Sequence, residues 1–208
     1  NINDDLLSDD DSRTPLPAPR WDFAVSMVGP LVEAIQAEVL DQWLRLAPRP
    51  LRMRFENLRG YMARARPLRA VQVQEAALVV RDNLRNRRAI QRAMLHALGR
   101  ASRSALLVTP YFAPGRKLRK AMVIAAQRGI DVTLLIGVGQ FAMQDAVAQS
   151  FYPRLVRAGV RIVEYRRTQL HGKVAVIDED WATVGSSNFD GLSLFVNHEA
   201  NIDRKSVV

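Results

Sequence analysis

The chain has 208 residues, 48% of them apolar, enough for the buried core of one large domain or of one and a half ordinary ones. It contains no cysteine, which excludes a disulfide framework and any thiolate metal site, and no run approaches the roughly 18 apolar residues that a membrane-spanning helix needs. The formal net charge of +9 favours anionic partners, but nucleic acid and lipid headgroups both present phosphate, so charge alone does not choose between them.

The opening stretch NINDDLLSDDD has no basic segment followed by an apolar one, so it does not read as a secretory signal, and without a Met it reads as starting inside a longer protein. Residues 4–20 hold five Asp and three Pro and read as an exposed connecting loop. WDFAVSM, residues 21–27, alternates as a strand. After the Gly29-Pro30 start, Leu31, Val32, Ile35, Val39, Trp43 and Leu46 fall at helical spacing. Pro48, Pro50, Gly60 and Pro67 then break the pattern, and residues 48–70 read as a linker. From Arg45 to Arg103 there are fifteen Arg and no Lys, against only Glu56, Glu75 and Asp82. This is either a solvated Arg-rich surface or a patch for an anionic one.

From Val71 the pattern becomes regular. VQVQEAALVV predicts a strand, NRRAIQRAMLHALGRA a helix, SALLVTPYF a strand, GRKLRKAMVIAAQRG a helix closed by Gly129, and IDVTLLIGV a strand. A helix over 142–158 closes at Gly159 before the strand VRIVEYR, and KVAVID, WATVGS and LFVNHEANID continue as strands. Alternating helices and strands followed by a strand cluster predict an α/β fold, a layered sheet with helices on both faces.

The segment LHGKVAVIDEDWATVGSSNFD, residues 170–190, carries the chemistry. Two residues apart on a strand, His171 and Lys173 face the same space. Asp178 falls where the strand must turn, and Gly185, Ser186, Ser187 and Asn188 form a small-residue turn whose N–H and hydroxyl groups can approach an anion. A neutral imidazole can attack phosphorus, while an ammonium and an Asn amide stabilise the non-bridging oxygens. The leaving alkoxide needs a proton from a second acid, which this segment does not hold. No spacing among the three His suggests zinc, and neither a metal nor another cofactor is expected. Tyr111, at a strand end, is a candidate for the substrate pocket or for core packing.

The spacing H-x-K, four residues, D, six residues, G-S-x-N resembles the HKD motif of the phospholipase D superfamily at His171, Lys173, Asp178, Gly185, Ser186 and Asn188. In that superfamily two such motifs build one site, within a duplicated chain or across a homodimer, and one complete motif is present here. NINDD aligned with NFDGL makes Asn1 the counterpart of Asn188, and WDFAVSM aligned with HEANIDR makes Asp22 the counterpart of Glu199. The resemblance therefore implies that residues 1–47 are the C-terminal remnant of a first lobe and residues 71–208 a second lobe. By the same resemblance Asp22 orients His171, and Glu199 orients the histidine of the other motif. Either carboxylate could also be an ordinary strand-edge charge.

Residues from about Trp21 onward are similar to the C-terminal half of bacterial cardiolipin synthases of the branch without N-terminal membrane spans. The resemblance implies a phosphatidyltransferase that moves a phosphatidyl group from phosphatidylglycerol to a second lipid hydroxyl through a phosphohistidine. It implies catalytic roles for His171, Lys173, Asp178, Asn188, Asp22 and Glu199, and places Ser186 and Asn1 at the substrate; Ser187 and Tyr111 are substrate-contact candidates on the reading of the residues alone. Anionic phospholipid rather than nucleic acid is the expected partner, met peripherally at the cytoplasmic face of the bacterial inner membrane. A metal-independent phosphodiesterase or nuclease, and a catalytically silent lipid-binding half, are the alternatives. The second histidine would come from a first lobe or a homodimer partner, and the isolated chain is expected to be inactive as a monomer.

Overall fold

A computed structural model of the chain describes residues 15–46, 76–82, 86–191, 194 and 197–205. Helix α1 (Leu31–Leu46) is followed by β1 (Ala76–Arg81), α2 (Ala89–Arg100), β2 (Ser104–Thr109), β3 (Phe112–Ala113), α3 (Arg116–Gln127), β4 (Asp131–Gly137) and α4 (Ala142–Arg157). The chain continues through β5 (Arg161–Tyr165), β6 (Val174–Ile177), β7 (Trp181–Gly185), β8 (Phe189–Asp190) and β9 (Glu199–Lys205). Asn1, the expected linker over 48–70 and the first residues of the strand expected from Val71 lie outside the described residues.

Seven strands form one mixed sheet in the order β1-β9-β7-β6-β2-β4-β5. β2, β4 and β5 are parallel neighbours, as two helical crossovers through α3 and α4 allow. β6, β7, β9 and β1 complete the sheet with antiparallel pairings. The result is a mixed α/β sheet with flanking helices. Period-two alternation explains its two faces. Ala105 and Leu107 of β2, Val132, Leu134 and Ile136 of β4, and Ala175 and Ile177 of β6 join Met94, Leu98, Leu118, Met122 and Leu155 of the helices in the larger core. The opposite face carries Val108 and Val174, packed with Leu170 in a smaller cluster.

Several expected strands differ from the structure. SALLVTPYF breaks at Pro110, and Phe112–Ala113 instead pairs in parallel with Phe189–Asp190 as a separate two-stranded sheet. That pairing ties the end of β2 to the turn after β7, and Thr109 Oγ1 accepts from the Phe189 N–H at 3.2 Å. WDFAVSM is not a sheet strand: only Trp21 makes a bridge, parallel to Leu170, and the segment crosses the chain before β6 instead of joining a ladder. The last expected strand starts late, at Glu199, because Gly191 and Leu194 are helical.

Between β6 and β7 the chain reverses through Asp178 and Glu179, both with positive φ (55° and 66°), closed by the Asp180 N–H donating to the Ile177 carbonyl at 3.1 Å. Two consecutive left-handed residues match the right-handed twist of a hairpin, and Asp is among the residues that tolerate that region.

Candidate active site

The carboxyl ends of parallel strands β2, β4 and β5 share one edge of the sheet. β6 runs antiparallel to β2, so the residues that lead into β6 sit at that same edge. His171 and Lys173 belong to this lead-in. The expectation that they lie on a strand is corrected, since β6 begins only at Val174. Their backbone is held by another segment: the Trp21 carbonyl accepts from the N–H groups of His171 (2.9 Å) and Gly172 (3.1 Å), and the Trp21 N–H donates to Gln169 (2.9 Å). The Thr168 hydroxyl donates to the Ala18 carbonyl at 2.7 Å, extending the contact back along the same arm.

This arm delivers Asp22. Its Oδ2 lies 2.7 Å from His171 Nδ1, and its Oδ1 accepts from the Phe23 N–H at 2.7 Å. Partial burial alone would raise the Asp22 pKa, but the His171 bond, the Phe23 N–H and the charges of His171 and Lys173 outweigh it, and the pKa falls below the ordinary 3.8. Asp22 is therefore an anion at neutral pH. The ammonium of Lys173, a buried residue, donates to the His171 carbonyl. Asp22, Phe23, His171, Lys173, Gly185 and Ser186 line one cavity of about 450 Å³. That volume is within the range of small-ligand sites.

Gly185 and Ser186, at the end of β7, complete the lining and are backed by β9. Gly185 is required there for packing: a Cβ would lie 2.3 Å from both the Ala200 carbonyl oxygen and the Asn201 side chain. Its lack of a side chain thus admits β9, where the sequence suggested that it admits an anion. The Ser186 hydroxyl donates to Glu199, and the Ala200 N–H donates back to the Ser186 oxygen at 3.1 Å. Glu199 is buried at the start of β9, so it reaches the cavity wall through Ser186. It stands opposite Arg81 in the β1–β9 register, and Arg81, 1% exposed, feels its charge. Burial lowers the Arg81 pKa, with Asp82 and Glu199 opposing that shift.

The other expected site residues are placed elsewhere. Asp178 is not brought to the cavity. It lies beyond the far end of β6, seven residues and on the order of 20 Å of extended chain from His171. Its carboxylate accepts from the N–H groups of Ser102 (2.5 Å), Arg103 (2.7 Å) and Ser104 (2.8 Å) and from the Ser102 hydroxyl (2.9 Å). Burial would raise its pKa, but the bonds from Ser104, Ser102 and Arg103 lower it to about 2. Ser187 turns inward: it is 1% exposed, its N–H donates to Asn201 and its hydroxyl to the Asn188 carbonyl, both at 3.4 Å. Asn188 follows in the same turn, outside the cavity lining, and its buried Oδ1 has no hydrogen-bond partner among the described residues. The Tyr111 hydroxyl donates to Gln140 at 3.3 Å and its ring packs on Phe141, 5.8 Å between centroids. It is also outside the lining.

Three contributors were missed in the sequence. Phe23 was read as a strand residue, Arg81 as one of many surface arginines, and Gly172 as the variable position between His and Lys. A Cβ on Gly172 would come within 2.4 Å of the Phe23 ring. The Trp-Asp-Phe run was the available signal, since two aromatic residues flanking an acid suggest a wall beside a charged group.

What this arrangement can do is bind a tetrahedral anion between an oriented imidazole and an ammonium. Among the described residues no group of three or more His, Asp or Glu stands close enough to hold a metal ion.

Comparison with known proteins places this chain in a family. Residues 94–206 match the family described as "Cardiolipin synthase, PLD-like domain". Cardiolipin synthase B of Escherichia coli (strain K12) is 38% identical over 196 residues, covering 89% of this chain and 44% of that protein. The chain thus spans less than half the length of the curated relatives it matches over most of its own. Among solved structures, phosphatidylserine synthase of Haemophilus influenzae superposes with a TM-score of 0.58 at 16% identity, over 85% of this chain and 48% of that one. Nuc of Salmonella typhimurium, a phospholipase D family member, gives 0.51 at 21% identity, over 64% and 83%. At those identities the structures speak for the fold. The chain belongs to the phospholipase D superfamily, in the family of cardiolipin synthase phospholipase D-like domains.

Proposed function

We propose that this chain supplies one half of the active site of a cardiolipin synthase-type phosphatidyltransferase, which moves a phosphatidyl group from phosphatidylglycerol to the hydroxyl of a second lipid. The observation that carries the reading is the 2.7 Å contact of His171 Nδ1 with Asp22, in a cavity that also holds Lys173. An anionic carboxylate on Nδ1 accepts its proton and fixes the tautomer, so attack on phosphorus falls to Nε2. The Nε2 lone pair forms the N–P bond, the bond from phosphorus to the departing glycerol oxygen breaks, and that oxygen leaves with a proton from a second acid. Lys173 compensates charge on a non-bridging oxygen as it builds, and Ser186 offers a hydroxyl at the cavity wall. The oxygen of the second lipid's hydroxyl then bonds to phosphorus as its proton passes to the group that had acted as acid, and the P–Nε2 bond breaks to release His171 as the neutral imidazole.

That second group is a histidine from a first lobe or a second copy, oriented by Glu199. His171, whose Nδ1 meets the Asp22 carboxylate in the cavity, is taken as the nucleophile and the second histidine as the acid. The chain would meet lipid peripherally from the cytoplasmic side of the inner membrane; no helix among the described residues is long and apolar enough to cross one. The test is product analysis of the full-length protein on phosphatidylglycerol vesicles and on DNA, with and without EDTA. Cardiolipin formed in EDTA and abolished by His171→Ala supports the reading. DNA hydrolysis without cardiolipin overturns it in favour of a nuclease, which the net charge of +9 would also suit.

A further inference from the structure

Gly185 and Ser186 bring the turn after β7 to the cavity, and the side chains beneath that turn form a polar row. In the β7–β9 register Thr183 stands opposite Asp203 and Gly185 opposite Asn201, so by the period of two all four share one face of the sheet. It is the core face, since Ala175 of β6 stands opposite Thr183 and belongs to the larger core. Thr183, Ser187 and Asn201 are each 1% exposed. Apolar residues would fill such a row at a lower desolvation cost, so a hydrogen-bonded set kept there needs a reason beyond packing.

The hydrogen bonds run in one direction. A carboxylate only accepts, so the Thr183 hydroxyl, 2.6 Å from Asp203 Oδ1, gives its proton to Asp203. The Thr183 oxygen is left as an acceptor and takes the Asn201 Nδ2 donor at 3.0 Å. That turns Asn201 Oδ1 the other way, over Gly185, where the Ser187 N–H donates to it at 3.4 Å. The amide fills the space that a side chain at 185 would need: a Cβ there would lie 2.3 Å from Oδ1 and 2.6 Å from the Asn201 Cα. Ser186, next in the turn, gives its N–H to the Ala200 carbonyl at 3.1 Å and its hydroxyl to Glu199. The Gly185 N–H donates to the Lys173 carbonyl at 3.3 Å, so the same turn is also bonded to the segment that carries the ammonium.

We propose that Asn201 is a positioning residue for the reaction: its amide, held in one orientation by Thr183 and Asp203, fixes the turn 185–187 that brings Ser186 to the cavity and to Glu199. The proposal rests on the phosphatidyltransferase reading for the reaction served, and adds a residue that touches no substrate. Without the Thr183 hydroxyl the amide loses its partner at Nδ2 and is free to turn over, which sets its N–H₂ against the Ser187 N–H. Two donors then face each other, and the turn shifts. A displacement of about 1 Å in a site costs up to about 100-fold in rate.

The experiment compares kcat and KM of the full-length protein for cardiolipin formation on phosphatidylglycerol vesicles, each variant assayed below its unfolding transition. Asn201→Ala also opens a cavity in the core, so the main variant is Thr183→Val, which keeps the branched shape. It is expected to lower kcat by about 10-fold or more with KM within about 3-fold, since a loss confined to the transition state lowers kcat and kcat/KM together. Thr183→Ser, which keeps the hydroxyl, is expected to stay within about 3-fold of the wild type in kcat. Val132→Ala, at the amino end of β4 and away from the turn, is the control for lost stability and is expected to keep the wild-type kcat. A Thr183→Val protein that turns over like the wild type, or a loss that Thr183→Ser or Val132→Ala matches, overturns the proposal and leaves the row a matter of stability. A wild type that makes no cardiolipin but cleaves DNA overturns the phosphatidyltransferase reading alone, and the ratio of Thr183→Val to wild type on DNA then decides the positioning role.

Discussion

Asp178 offers the sharpest test of where motif spacing and physical role part company. The change Asp178→Asn removes an anion that three backbone N–H groups and one hydroxyl hold, at distances of 2.5 to 2.9 Å. Its pKa drops from the ordinary 3.8 to about 2, which corresponds to folding free energy on the order of 2 kcal/mol. Because the folded value is the lower one, this contribution is present in full above about pH 4 and is lost as the pH falls toward 2. Asn keeps one acceptor oxygen but offers its amide N–H₂ to donors, so the expected cost at pH 7 is about 2 kcal/mol or slightly more. Urea unfolding followed by circular dichroism, at pH 7 and again near pH 2.5, measures it. The variant should be less stable at pH 7 and approach the wild type at the acid end. In the full-length protein, below its unfolding transition, turnover should change little. A variant as stable as the wild type at pH 7 but without turnover would refute the structural assignment and return Asp178 to the chemistry.

Asp22→Asn should keep the fold and lower turnover of the full-length protein by about 10–100-fold, the usual loss when the partner that orients a functional histidine is removed, read as initial rates of cardiolipin formation. Gly172→Ala forces the Phe23 ring to move, at an expected cost of about 1–2 kcal/mol by thermal or urea unfolding. The same change in a Phe23→Ala background should cost less than about 0.5 kcal/mol, because the obstacle is gone. Asp203 shows the opposite linkage to Asp178: burial raises its pKa to about 6 against the bonds from Thr183 and Trp181. With the folded value the higher one, stability is lost as the pH rises from about 4 to 6. Asp203→Asn should therefore be the more stable protein at pH 7.5, by about 1–3 kcal/mol, with the difference gone near pH 4.

Much of the fold was legible because its elements are regular. α3 and α4, with β4 and β5 after them, each show one clear period, and a glycine follows each of these helices, at 129 and 159. Period alone fails where a segment is extended for another reason. WDFAVSM alternates as a strand does, yet its partner is the loop 169–172, and nothing local distinguishes a strand in a ladder from an arm that crosses a sheet edge. SALLVTPYF reads as one strand because both halves are apolar, although Pro110 divides them between two sheets.

The site was legible in part for a similar reason. Spacing identified which residue types recur around His171, but a spacing does not say which end of a strand each residue occupies. His171 and Asp178 bracket β6, so one faces the cavity and the other the Ser102–Ser104 loop. Gly172 and Gly185 could be seen as small residues; that one makes room for Phe23 and the other for β9 is visible only in three dimensions.

The Trp21 crossing separates the integrity of the site from that of the fold. The carboxylate that meets His171 Nδ1 comes from a residue 149 positions away, on an arm whose described residues contribute no strand to the seven-stranded sheet. Among the described residues, backbone and side-chain bonds between Ala18–Asp22 and Thr168–Gly172, with the Trp21–Tyr165 ring contact, hold that arm along its partner. Such a contact can open at far lower free energy than the sheet can unfold. The amide protons of His171 and Gly172, both given to the Trp21 carbonyl, would then exchange with solvent well before those of β2 or β4, and their exchange rate reports the fraction of molecules in which the arm is docked.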